Sequence, residues 1–150
     1  MKRLSSCLVL LALLSSGSVA GFALCPSSTP TIDQIQGVKS TTAEVVSPCA
    51  GQTVTTSGIV TAITGTGFFI EEPGTPPAGL TTGIYINTGS TPSVAIKDNV
   101  TVTGTVSTVP AQSHIPATEI AVDPVSGITV NSTGTLPAPV TIDASKLSAT

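Results

Sequence analysis

Apolar and small polar residues alternate along residues 52–109, and valine, isoleucine and threonine carry the pattern. Nowhere in that span do apolar positions recur at the three-and-four spacing of an amphipathic helix, so the region predicts β-structure throughout. The first strand runs over residues 52–63. It places Val54 on one parity and Ile59 and Ile63 on the other, which predicts a parity change, and hence a bulge or sharp coil, at Gly58. Gly65-Thr66-Gly67 turns the chain into a second strand, Phe68-Phe69-Ile70-Glu71-Glu72, as a hairpin. Residues 73–82 hold three prolines and two glycines and form a loop.

A third short strand follows at Gly83-Ile84-Tyr85-Ile86-Asn87, and a turn through residues 94–99 leads into a fourth at residues 100–107. This fourth strand repeats the design of the first, with alternating β-branched residues interrupted by one glycine, here Gly104. Two long, bent strands predict a small closed barrel. Thr118-Glu119-Ile120-Ala121-Val122 and Ile128-Thr129-Val130 supply two more strands, and Leu136-Pro137-Ala138-Pro139-Val140 is an extended exit, because two prolines in five residues exclude a central strand.

Ahead of the strands, Lys2 and Arg3 precede an apolar run from Leu8 to Leu14 that ends in the small-residue stretch Ser18-Val19-Ala20. This is the pattern of a secretory signal peptide cleaved after Ala20, and its apolar core is far short of the roughly 20 residues that span a bilayer. A lipid anchor fits less well. Cys7 lies before the apolar run, and Cys25 follows Leu24, a bulky residue where lipidation signals place a small one. The expected localisation is secreted, extracellular or periplasmic. The expected organisation is a signal peptide at 1–20, an N-terminal extension at 21–48 tied to the barrel, a barrel at 49–135 and a C-terminal extended linker at 136–150.

The 130 residues after the leader suit one domain. Three lysines (Lys39, Lys97 and Lys146) against eight carboxylates give them a net charge of −5, with no arginine. A protein that tracks phosphates along a basic stripe is not written here. The even pair Cys25 and Cys49, in an oxidising compartment, predicts a disulfide whose loop of 23 intervening residues is worth about 3–4 kcal/mol. Zinc is the sharper alternative, but two cysteines and the distant His114 are too few ligands.

In order along the chain, Ile32-Asp33-Gln34-Ile35-Gln36-Gly37, Ser47-Pro48, the run from Gly51 to Ala62, Gly67-Phe68-Phe69-Ile70, Gly83-Ile84-Tyr85-Ile86, the run from Asp98 to Val106, Thr118-Glu119-Ile120 and the Leu136–Val140 exit resemble one family. It is the OB-like domain at the N-terminus of bacterial extracellular nucleases of the endonuclease/exonuclease/phosphatase type. The resemblance implies a Greek-key β-barrel of five to six strands that serves as a non-catalytic accessory module. It would bind nucleic acid, or position a nuclease domain. In the relatives a catalytic domain follows the exit, whereas this sequence ends at Thr150, so the expectation is a chain that is not an enzyme. Where the relatives carry an Asp-rich loop after the second strand, this chain has Glu71-Glu72-Pro73-Gly74-Thr75-Pro76-Pro77.

OB barrels stack bases on aromatic side chains. The strands carry Phe68, Phe69 and Tyr85; adjacent Phe68 and Phe69 must face opposite sides, so one fills the core and the other points outward. The candidate ligand-binding residues are Phe69, Tyr85 and Lys97. The competing account is that the aromatics only fill or cover the core, in a structural spacer or protein-interaction module without affinity for nucleic acid. Glu71, Glu72 and Asp98 are candidate calcium ligands, but such a site needs six to eight oxygens and solvated carboxylates explain them better. Gln112-Ser113-His114-Ile115-Pro116 lacks a nucleophile elbow and a second base, which reads as an exposed loop histidine rather than a catalytic one. Asn99-Val100-Thr101 and Asn131-Ser132-Thr133 match the glycosylation sequon, which carries no weight behind a bacterial-type leader. No cofactor or metal is expected.

Overall fold

The computed structural model describes residues 25–37, 47–74, 82–109 and 117–139. The leader, Lys39, Lys146, most of the proline-rich loop, the His114 segment and the end of the exit lie outside the described residues. Six strands form one sheet: β1 (Thr53–Ile63), β2 (Gly67–Glu71), β3 (Gly83–Asn87), β4 (Asp98–Val109), β5 (Ala117–Val122) and β6 (Ile128–Thr133). The sheet closes on itself, because β1 pairs with β2 on one edge and with β4 on the other, in the cycle β1-β2-β3-β5-β4-β1. All the pairings are antiparallel except β3 with β5. This is the closed five-stranded OB-like barrel expected from the sequence. The extra strand β6 continues the line of β5 along the edge of β4 after a turn at residues 123–127.

β1 and β4 are the longest strands, at 11 and 12 residues, and each must bend because it changes partners along its length. The first half of β1 pairs with β4 and the second half with β2, with Ile59 shared by both. Gly58 sits just before that hand-over. The predicted parity change does not occur there. Val54, Thr56, Gly58 and Val60 all stay on the buried face, and the irregularity falls between Val60 and Ala62, where Thr61 is the extra residue. Ile59 is buried on the outer side, its end packed against Gly134 beyond β6, and Ile63 is exposed. Gly58 serves closeness instead of reversal: a β-carbon there would lie 3.0 Å from the Glu71 carbonyl oxygen and 3.1 Å from Ile70 Cβ.

The core gathers Val54, Val60, Phe68, Ile70, Ile84, Ile86, Val100, Val102, Val106, Ile120 and Val122 from the five barrel strands. Two further core residues, Ile32 and Ile35, are fully buried but come from the N-terminal extension, on a one-turn helix α1 (Ile32–Gln36). The sequence signal for α1 is Thr31-x-x-Gln34, half of a capping box: Gln34 Oε1 accepts the backbone N–H of Thr31 at 3.1 Å. The helix is held in place by Ser47, whose hydroxyl donates to the Ile35 carbonyl, by Glu72, whose carboxylate accepts the Ile32 N–H, and by Gln36, whose amide donates to the Gly83 carbonyl at 2.7 Å. Cys25 and Cys49 are bonded, with the Cys49 side chain fully buried and Cys25 packed against the core. The extension is thus part of the core as well as tied to it.

Candidate nucleic-acid interface

Phe68 and Phe69 divide between the two faces of β2 as alternation requires. Phe68 is fully buried, whereas Phe69 is 42% exposed on the outer wall. The hairpin register sets Phe69 directly opposite Tyr85 on β3, and the two rings meet with centroids 5.0 Å apart at 49°. Tilted contact at that distance is the favourable arrangement for two ring quadrupoles. The Tyr85 ring leans over Gly67, where a β-carbon would lie 2.5 Å from the phenol oxygen, and only glycine leaves room for it. The phenol oxygen sits between the hydroxyls of Thr64 and Thr66, at 3.1 Å from each, in the β1–β2 turn. Tyr85 is therefore fixed at both ends and Phe69 is fixed by Tyr85.

The row containing this pair continues across the barrel wall. Tyr85 is level with Glu119 on β5, and Glu119 with Ser107 on β4. Glu119 Oε1 accepts hydrogen bonds from Asn87 Nδ2 at 3.1 Å and Ser107 Oγ at 3.2 Å. The sequence reading found the aromatic pair through its alternation but gave Glu119 and Asn87 no role, because only the β3–β5 register brings them to the same wall.

The structure does not bring Lys97 to this wall. Its backbone N–H donates to the Val60 carbonyl at 2.9 Å and its carbonyl accepts from Gly134 at 2.7 Å, which sets it beside β1 on the edge that faces β4, away from β2. Lys97 also has φ 80°, a left-handed conformation unusual for a side-chain-bearing residue. It is the sole basic residue among the described residues. The candidate cation ligands are each engaged nearby: Glu71 accepts from the Thr82 hydroxyl at 3.4 Å, Glu72 from the Ile32 N–H, and Asp98 from the Ala95 N–H at 2.8 Å. Among the described residues, no three metal-ligating side chains gather. His114 lies outside them.

On the opposite side, the outer faces of β1 and β4 carry hydroxyls in register. Thr55 pairs with Thr103 and Ser57 with Thr101, each at 2.9 Å, and Asn131 on β6 donates to Thr101 at 2.9 Å. These groups satisfy one another. A shallow cavity of about 270 Å³ opens between the extension and β1, lined by Thr29, Pro30, Thr31, Thr55, Ser57 and Glu72 among others. Neither region presents an aromatic ring.

No family model matches the chain. No curated protein matches it either. Among solved structures, an aspartyl tRNA synthetase from Entamoeba histolytica is similar at 20% identity with a TM-score of 0.39, over 92% of this chain. The chain spans 30% of the length of that synthetase chain. The fold assignment rests on the strand pairing itself: five strands closed in the order β1-β2-β3-β5-β4-β1 make this chain an OB-like barrel.

Proposed function

We propose that the chain is a secreted, non-catalytic module that holds a single strand of nucleic acid against the outer wall of β2, β3 and β5, in the accessory role such modules have beside a nuclease domain. The observation that carries this is the Phe69–Tyr85 pair, an exposed aromatic surface already locked in place before any ligand arrives. Side chains that are ordered in advance lose little entropy on binding. Stacking one base on such a ring is worth about 1–3 kcal/mol.

The charge distribution shapes the form binding takes. With Lys97 turned away and no other cation among the described residues, binding rests on stacking and not on counterion release. Affinity should be modest and rise somewhat with added salt, which screens the acidic protein from the phosphates. The test is fluorescence anisotropy of a labelled mixed-sequence 12-mer at about 0.15 M salt, with wild type and Phe69→Ala. Phe69 is 42% exposed and otherwise packed on Tyr85, so the variant should lose roughly 5- to 150-fold in affinity and only about 1 kcal/mol of stability, remaining folded. No binding of the 12-mer by wild type, or no effect of the substitution, refutes the proposal.

A second reading is favoured by Gly67. A tyrosine ring laid across a strand glycine shields exposed backbone and can be purely structural. A spacer or protein-interaction module built this way would lose stability with Tyr85→Ala and show no nucleic-acid affinity in either variant.

A further inference from the structure

The wall that carries the aromatic pair also holds one fixed acceptor. Phe69, Tyr85, Glu119 and Ser107 form a single row across β2, β3, β5 and β4. Glu119 Oε1 takes two hydrogen bonds, from Asn87 on one side of β5 and from Ser107 on the other. Those two donors fill both lone pairs of that oxygen. They also fix the plane of the carboxylate. Among the described residues no hydrogen bond to Oε2 is found, so the half-buried side chain keeps one negatively charged acceptor oxygen on the strand position level with Tyr85.

We infer that Glu119 is a specificity-determining residue for the bound strand: its Oε2 accepts a hydrogen bond from the exocyclic amine of a base stacked on Phe69 and Tyr85. The inference rests on the nucleic-acid reading of the same wall. Cytosine, adenine and guanine carry such an amine, whereas uracil and thymine present a carbonyl at the equivalent edge. A carboxylate facing the cytosine amine gains a charge-assisted hydrogen bond. Facing the uracil carbonyl, it meets a second acceptor with no proton between them. A carboxylate serving only to pin β3, β4 and β5 together has no reason to distinguish the two.

The decisive comparison is dC12 against dU12 at neutral pH and about 0.15 M salt, by anisotropy, because the two pyrimidines are nearly equal in size and differ chiefly in the amine or carbonyl at position 4. Wild type should bind dC12 about tenfold more tightly, the effect of one hydrogen bond to a charged group. In Glu119→Gln the amide oxygen still serves Asn87 and Ser107, which turns the amide nitrogen, a donor, toward the base. The preference should then reverse in favour of dU12. A wild-type ratio within twofold, or a ratio unchanged by the substitution, overturns the role of Glu119 and leaves the stacking reading standing. Absence of binding to both oligomers overturns the stacking reading and this inference together. Should Glu119→Gln fail to fold, Glu119→Ala takes its place, with loss of the dC12 preference expected and a retained preference overturning the inference.

Discussion

Gly104→Ala is the substitution that most directly probes how the barrel closes. Gly104 lies on the inward parity of β4, level with Val54 of β1 on one side and Val122 of β5 on the other. A β-carbon there would stand 2.3 Å from the Ala121 carbonyl oxygen, 2.7 Å from Val122 Cγ2 and 2.8 Å from Ile120 Cγ2. The two methyl groups can yield by rotation. The carbonyl belongs to the backbone of β5, so relieving that contact means moving β5 away from β4 by about 1 Å and stretching the ladder from Gly104 to Val109. Overpacking of this kind costs about 1–3 kcal/mol, with the upper end expected where backbone must move. Reduced entropy of the unfolded chain returns about 0.4–1 kcal/mol. The net expectation is a loss of about 2 kcal/mol, or roughly 6–10 °C in melting temperature for a domain of this size. Gly65→Ala is the matched control, because a β-carbon there meets nothing within 4 Å and stability should stay within about 0.5 kcal/mol. Urea unfolding followed by far-ultraviolet circular dichroism, with the disulfide intact, measures both. If Gly104→Ala proves as stable as Gly65→Ala, closure does not depend on that close approach.

Three further outcomes are expected. Reducing the Cys25–Cys49 bond should lower stability by about 3–4 kcal/mol from the loop it closes, and an unchanged urea midpoint in reductant would contradict this. Thr108 Oγ1 is buried without a hydrogen-bond partner among the described residues, so Thr108→Val should stabilise the fold by about 1 kcal/mol in the same assay; a loss would show that the hydroxyl has a partner. The exposed Asp123 carboxylate accepts the backbone N–H groups of Ser126 at 3.0 Å and Val125 at 2.8 Å, which hold its pKa below the ordinary aspartate value. Because the folded pKa is the lower one, the contribution of this turn is present above roughly pH 4 and is lost as pH falls through the depressed value. A nuclear magnetic resonance titration of the Asp123 carboxyl in the ordinary range would refute the assignment.

The strands were legible because a period of two is a local property. Val54, Phe68, Ile70, Ile84, Ile86, Val100, Val102, Val106 and Ile120 announce an inward face wherever they occur, and the structure buries every one of them. The outward position of Phe69 follows from the burial of Phe68 by the same rule. What misled the sequence reading at Gly58 was Ile59, an apolar residue off the inward parity. Its side chain is buried with its end against Gly134, 75 residues away, a contact that no local pattern encodes. α1 went unread for a related reason: one helical turn has no periodicity to detect, and Ile32 and Ile35 become core residues only by docking onto a barrel already formed.

Alternation, turn glycines and an even cysteine pair determined by themselves that this chain makes bent strands around a small apolar interior, because each of those signals acts within a few residues of its own position. The tertiary structure alone decided which strands meet. The parallel register of β3 on β5 carries Glu119 to Tyr85 and Asn87 across 32 or more residues of chain, while the left-handed turn at Lys97 takes the one nearby cation elsewhere. Those are long-range pairings, fixed by the geometry of closing a barrel, and the character of the proposed binding wall depends on them.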